Sequence, residues 1–121
     1  MTNKILIVDD QPGIRMLLEE ILKSEGYEIV TAKTGKQACE MMEAEKPDLT
    51  IMDYNLPVMN GHEVLKTFDE MSAHNPVIII TGSSEDSIKE HTQFSFVQEI
   101  IAKPFDIHKM KEVVTNTLVR S

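Results

Sequence analysis

The chain is short of cysteine, of basic side chains and of long apolar runs, and each shortage removes a class of protein. Its single cysteine, Cys39, has no partner for an intrachain disulfide. No stretch approaches the roughly 18 consecutive apolar residues of a membrane-spanning helix. The first residues also lack the apolar core of a signal peptide, so the cytoplasm is the expected compartment and no membrane partner is expected. Lys and Arg number 12 against 20 Asp and Glu, for a net charge of -8. That balance opposes nucleic-acid binding, whose affinity comes largely from cations neutralising phosphates. Repeats and low-complexity segments are missing too. The histidines, His62, His74, His91 and His108, show no metal-ligand spacing and are assigned to solvated faces.

What remains is ordinary globular composition. Hydrophobic residues make up 41% of the 121 and charged residues 26%, which argues against disorder and provides for one core. A single domain over residues 1–121, with no output module, is expected.

Strand-like and helix-like patterns alternate five times, which predicts an α/β domain with a parallel sheet and helices on both faces. Strands are expected near residues 4–8, 28–31, 49–53, 77–80 and 100–102. A first helix opens with Pro12, carries Ile14, Leu17, Leu18, Ile21 and Leu22 at helical spacing, and ends at Gly26. That stripe is wide: either all five residues pack on the sheet, or Ile14 and Leu17 lie partly outside the core. Thr34-Gly35-Lys36-Gln37 reads as a capping box opening a helix through about Ala44, where Cys39 is a small packing residue. Asn60 caps a third helix bearing Val64, Leu65, Phe68 and Met71. A fourth, the least stable, opens at Ser83-x-x-Asp86 and has only Ile88 on an apolar face. The last helix begins near Asp106 and is expected to bury Ile107, Met110, Val114 and Leu118, with residues 119–121 as a tail.

The strand ends carry the chemistry. Leu49-Thr50-Ile51-Met52 runs into Asp53, and Pro57 and Gly61 then force a turn. Ile5-Leu6-Ile7-Val8 runs into Asp9-Asp10, Val77-Ile78-Ile79-Ile80 into Thr81-Gly82, and Ile100-Ile101-Ala102 into Lys103-Pro104. Open parallel sheets bind ligands outside the carboxyl ends of their strands, so three acids, a hydroxyl and an ammonium are expected on one rim. Carboxylates brought together repel unless a cation intervenes, and hard oxygen donors suit Mg²⁺. Phosphoryl transfer needs positioning and charge neutralisation above all, which such a set supplies. Asp53 is the candidate nucleophile, with Lys103 and Thr81 contacting the phosphoryl oxygens. Taken singly, each feature has a plainer reading: Asp-Asp as a turn or helix cap, Thr81 as a satisfied strand-end hydroxyl.

Together, Asp9-Asp10, Asp53 with Pro57 and Gly61, Thr81, and Lys103-Pro104-Phe105 resemble the receiver domain of two-component response regulators, over essentially the whole chain. The resemblance implies a CheY-like, flavodoxin-like (βα)5 fold, doubly wound, with strand order 2-1-3-4-5. It implies phosphorylation of Asp53 by a partner's phosphohistidine, and Mg²⁺ (or Mn²⁺) held by Asp10, Asp53 and the Asn55 backbone carbonyl with Asp9 assisting. More narrowly, Asp9-Asp10-Gln11-Pro12-Gly13-Ile14-Arg15 and Ala102-Lys103-Pro104-Phe105-Asp106-Ile107 are similar to the stand-alone phosphorelay receivers of sporulation. These pass phosphate from a sensor histidine kinase to a histidine phosphotransferase, which implies a monomeric phosphotransferase with those partners and a phosphatase as a third. The partner-facing surface so implied comprises Gln11, Ile14, Leu17, Pro104 and Phe105.

Rival readings are a chemotaxis-type receiver acting as a phosphorylation-dependent binding module, a haloacid-dehalogenase-type phosphatase and an FMN carrier. Asn55 occupies the place of the phosphatase's second acid, and no hydroxyl-rich phosphate loop follows the first strand. The chain also departs from the receiver pattern. Ile100 stands three positions before Lys103, where receivers carry an aromatic residue, and Phe96-Val97 replaces a Gly-Ala pair. The implied readout is therefore a packing change in the segment after Ser84 instead of a ring rotation. Asn55 also stands where the sporulation receivers carry Lys, which implies a shorter-lived phosphoryl group.

Overall fold

Five short runs of aliphatic residues build one sheet, and their burial shows which of them lie at its centre. In the computed structural model, which describes residues 2–82 and 94–120, β1 (Lys4–Val8), β3 (Leu49–Asp53) and β4 (Val77–Thr81) are buried almost throughout. Their largely apolar character is that of strands covered on both faces. β2 (Glu28–Ala32) and β5 (Val97–Ala102) are more exposed and form the edges. The order is β2-β1-β3-β4-β5 with every pair parallel, which is the CheY-like, flavodoxin-like arrangement expected.

Alternation along the strands divides the core in two. Leu6, Val8, Met52 and Ile79 point to one face, against Ala38 and Met42 of α2 (Gly35–Glu45) and Val64, Leu65 and Phe68 of α3 (Gly61–Glu70). Ile5, Ile7, Ile51 and Ile78 point to the other, against Leu18 and Leu22 of α1 (Pro12–Ser24) and Met110 and Val114 of α4 (Ile107–Arg120). Each of these side chains other than Ala38 contributes about 1.5–3 kcal/mol on full burial. Cys39 is half-buried against the first of these cores. Among the described residues, no helix is long and apolar enough to cross a membrane.

The helix ends follow the expected chemistry with one refinement. α1 has Pro12 in its first turn and closes with Gly26 at φ 93, where Gly26 N donates to Lys23 O and Tyr27 N to Leu22 O. Thr34 accepts from Gln37 N (3.1 Å), but the Gln37 side chain reaches past Thr34 to accept from Lys33 N (2.8 Å). The reciprocal box is thus displaced by one residue. Asn60 caps α3 through Glu63 N (3.1 Å), and Asp106 caps α4 through Lys109 N (3.0 Å). Between β3 and α3, Val58 at φ 65 makes a tight reversal in which Met59 N donates to Pro57 O (2.7 Å).

The inward faces of two helices differ from expectation. Thr117 is buried where Ile107 was expected, while Leu118 is only half-buried. Met110, Val114 and Thr117 lie at i, i+4 and i+7, and Ile107 opens the helix at the sheet's rim, where it stays 40% exposed. Val119 and Arg120 continue the helix and are not a tail. Met71 follows the last turn of α3 and is exposed, so Phe68 ends that helix's core face. Leu17 is 38% exposed and Ile14 half-buried, which selects the wide-stripe alternative. The helix expected from Ser83-x-x-Asp86, with Ile88, and His91 lie outside the described residues.

Candidate functional site

Strand register brings the polar strand ends to one edge. Val8 pairs with Met52, so Asp9 leaves β1 level with Asp53; Asp53 pairs with Ile80, and Thr81 with Ala102, the residue before Lys103. Asp9, Asp53 and Thr81 are buried, whereas Asp10 is exposed. One carboxylate oxygen from each of Asp9, Asp10 and Asp53 lies within 4.8 Å of the others.

Lys103 joins these groups. Its Nζ donates to Asp53 Oδ2 at 2.9 Å, to Gln11 Oε1 at 3.0 Å and to Asp9 Oδ2 at 3.4 Å. Its backbone is set by Lys103 N donating to Thr81 O (2.8 Å) and by a cis Lys103–Pro104 bond. Asp53 Oδ1 accepts from Asn55 N (3.0 Å), and the Asn55 side-chain Nδ2 reaches Thr81 Oγ1 (3.3 Å). Asp9 Oδ1 accepts from Gln11 N (2.8 Å). Asp9 therefore serves both the turn and the acidic site, which the sequence reading held as alternatives.

Burial raises the Asp9 carboxyl above the ordinary value, Asp53 adding to this, while Gln11 N and Lys103 oppose it. For Lys103 burial acts to lower the ammonium, yet the hydrogen bond and charge of Asp53, followed by Asp9, hold it above its ordinary value. The cluster is thus short of positive charge. Three hard carboxylate oxygens around one point are a donor set that fits Mg²⁺ or Mn²⁺, with open positions left for water and phosphate.

The site opens to solvent as a cleft of about 290 Å³ lined by Asp10, Gln11, Asp53, Asn55, Gly82 and Lys103. A Cβ on Gly82 would meet no atom of the described residues within 4 Å. Gly61, by contrast, is required by packing: a Cβ there would come within 2.8 Å of Tyr54, the residue after Asp53. Phe105 and Ile14 each pack against the α1–α4 core, and Pro104 is exposed. Ile100 is half-buried against the α2–α3 core.

Arg15, outside the expected site, donates from Nη1 to Asp9 O (2.7 Å). A long cationic side chain one turn into the helix after an Asp-Asp pair is the signal that points to it. Gln11 was assigned by resemblance to partner contact alone, and its link to Lys103 spans 92 positions, beyond any local pattern.

Comparison with known proteins agrees with this geometry. Residues 5–115 match the response regulator receiver domain. The chain is 41% identical to sporulation initiation phosphotransferase F of Bacillus subtilis, over 98% of this chain and 95% of the relative. It is 33% identical to the chemotaxis protein CheY of the same organism, over 98% and 99%. Among solved structures it resembles the receiver domain of the sensor histidine kinase PA1611 from Pseudomonas aeruginosa PAO1, described with a magnesium ion coordinated in its active-site cleft. The TM-score is 0.85 at 26% identity, covering 98% of each chain. This chain belongs to the response regulator receiver domain family.

Proposed function

We propose that the protein is a phosphorelay intermediate that takes a phosphoryl group from a partner's phosphohistidine onto Asp53 and passes it to a histidine phosphotransferase. The observation that carries this is the Lys103 ammonium held 2.9 Å from Asp53 Oδ2, beside an acidic cluster open to solvent. An oxygen of Asp53 attacks phosphorus, the new O–P bond forms as the N–P bond breaks, and the imidazole leaves as its neutral form with a proton from solvent. In this reaction Lys103 and Thr81 donate to the phosphoryl oxygens. Mg²⁺ or Mn²⁺, which Asp9, Asp10, Asp53 and the Asn55 carbonyl would hold, supplies positive charge against those oxygens when bound. Gln11, Ile14, Leu17, Pro104 and Phe105 form the surface met by a sensor histidine kinase, by the phosphotransferase and by a phosphatase. Similarity to the Bacillus subtilis sporulation initiation phosphotransferase supports a sporulation pathway; a monomer acting in the cytoplasm completes the proposal.

Profiling the protein against the host's kinases and histidine phosphotransferases tests this, with Asp53→Asn as control. Phosphate is expected to move to Asp53 and onward to a histidine. Labelling of Asp53 followed only by hydrolysis and target binding would instead favour the binding-module reading, which similarity to CheY supports.

A further inference from the structure

Of the four helices in the described residues, α2, α3 and α4 begin with a side chain that accepts from the third N–H of the helix: Thr34, Asn60 and Asp106. α1 begins with Gln11, whose side chain makes no capping bond. Short polar side chains are favoured at this position, so a glutamine gives up a local interaction. Its longer reach is used elsewhere, on Lys103 Nζ at 3.0 Å. A local rule broken at the edge of a site points to a function for the residue that breaks it.

The polarity of the amide is imposed by its partner. An ammonium only donates, so the amide end at Lys103 is the carbonyl oxygen and the other end is an NH₂ with two donors. The ammonium's three N–H groups are taken up by Asp53, Gln11 and Asp9. Gln11 also lines the cleft with Asp53 and Lys103. We propose that Gln11 has two tasks at once: Oε1 positions the Lys103 ammonium at Asp53, and Nε2 donates to an oxygen of the phosphoryl group bound there. When that group arrives, the lysine donor on Asp53 Oδ2 passes to a phosphoryl oxygen while Gln11 keeps its hold. Gln11 thereby completes a donor set of ammonium, amide and the Thr81 hydroxyl around a dianionic ligand. This rests on Asp53 being the phosphoryl acceptor.

The test uses the purified chain with Mg²⁺ and phosphoramidate, no protein partner present, so docking plays no part. Gln11→Met keeps length but neither accepts nor donates; Gln11→Glu keeps an acceptor for Lys103, loses the donor and adds charge. We expect Gln11→Met to slow labelling of Asp53 and to weaken beryllofluoride binding, each about tenfold, with an unchanged thermal midpoint. Gln11→Glu is expected to lose more than Gln11→Met. Gln11→Met within twofold of wild type on both readouts, or Gln11→Glu faster than Gln11→Met, overturns the proposal. A shifted midpoint with unchanged beryllofluoride affinity overturns it too, in favour of a structural role. Failure of this inference alone leaves wild-type labelling of Asp53 intact; absence of that labelling overturns the reading of the acceptor as well.

Discussion

Polar side chains are buried in two parts of the sheet, and the fold treats them differently. At the rim, Asp9 and Asp53 are tied to Lys103 from another strand end, and Asn55 links Asp53 to Thr81. Near the start of β3, Thr50 is fully buried and its hydroxyl has no hydrogen-bond partner among the described residues. An orphan hydroxyl costs on the order of 1–3 kcal/mol, which a folded domain can carry. An orphan buried carboxylate costs several times more. A chain that places two carboxylates at 1% and 5% exposure beside one ammonium therefore does so at the expense of stability. Ordinary packing gives no reason to keep them, and the proposed phosphoryl transfer does.

The largest effect follows from removing the ammonium. In buffer free of divalent cations, Lys103→Met leaves Asp9 and Asp53 facing each other unpaired, and is expected to cost about 3 kcal/mol by urea denaturation at neutral pH. Because the folded pKa of Lys103 is raised above 10.5, its contribution is complete below that value and is lost as pH rises through the folded pKa. The gap between wild type and Lys103→Met should accordingly close at strongly alkaline pH. A gap that is small, or that persists there, would show that the rim acids are no burden. The smaller effect lies in the strand. Thr50→Val replaces the orphan hydroxyl with a methyl of nearly the same shape and should raise stability by about 1 kcal/mol, read from the urea midpoint. A loss instead would mean that the hydroxyl is satisfied and that the contrast between the two regions fails.

The same contrast explains what was legible in the sequence. Each rim residue follows a mostly apolar run, and in a parallel sheet the end of such a run is a place in space, so Asp9, Asp10, Asp53, Thr81 and Lys103 could be assembled from strand ends alone. Local chemistry likewise gave the Gly26 stop and the Asn60 cap. Two kinds of feature were not legible. Which residues of α4 face inward depends on where the helix starts over the sheet, so Ile107 was expected where Thr117 is buried. Long side chains that return to the site, such as Arg15 to Asp9 O and Gln11 to Lys103, leave no periodic trace, because they join elements through reach instead of pattern.

The central claim is that the carboxylate at the end of β3 accepts phosphate. Mass-spectrometric mapping of the chain after reaction with phosphoramidate and Mg²⁺ tests it most directly. One hydroxylamine-labile phosphate is expected, on Asp53, absent from Asp53→Asn and dependent on the divalent ion. Phosphate settling on another residue, or labelling of Asp53→Asn equal to that of wild type, would contradict it.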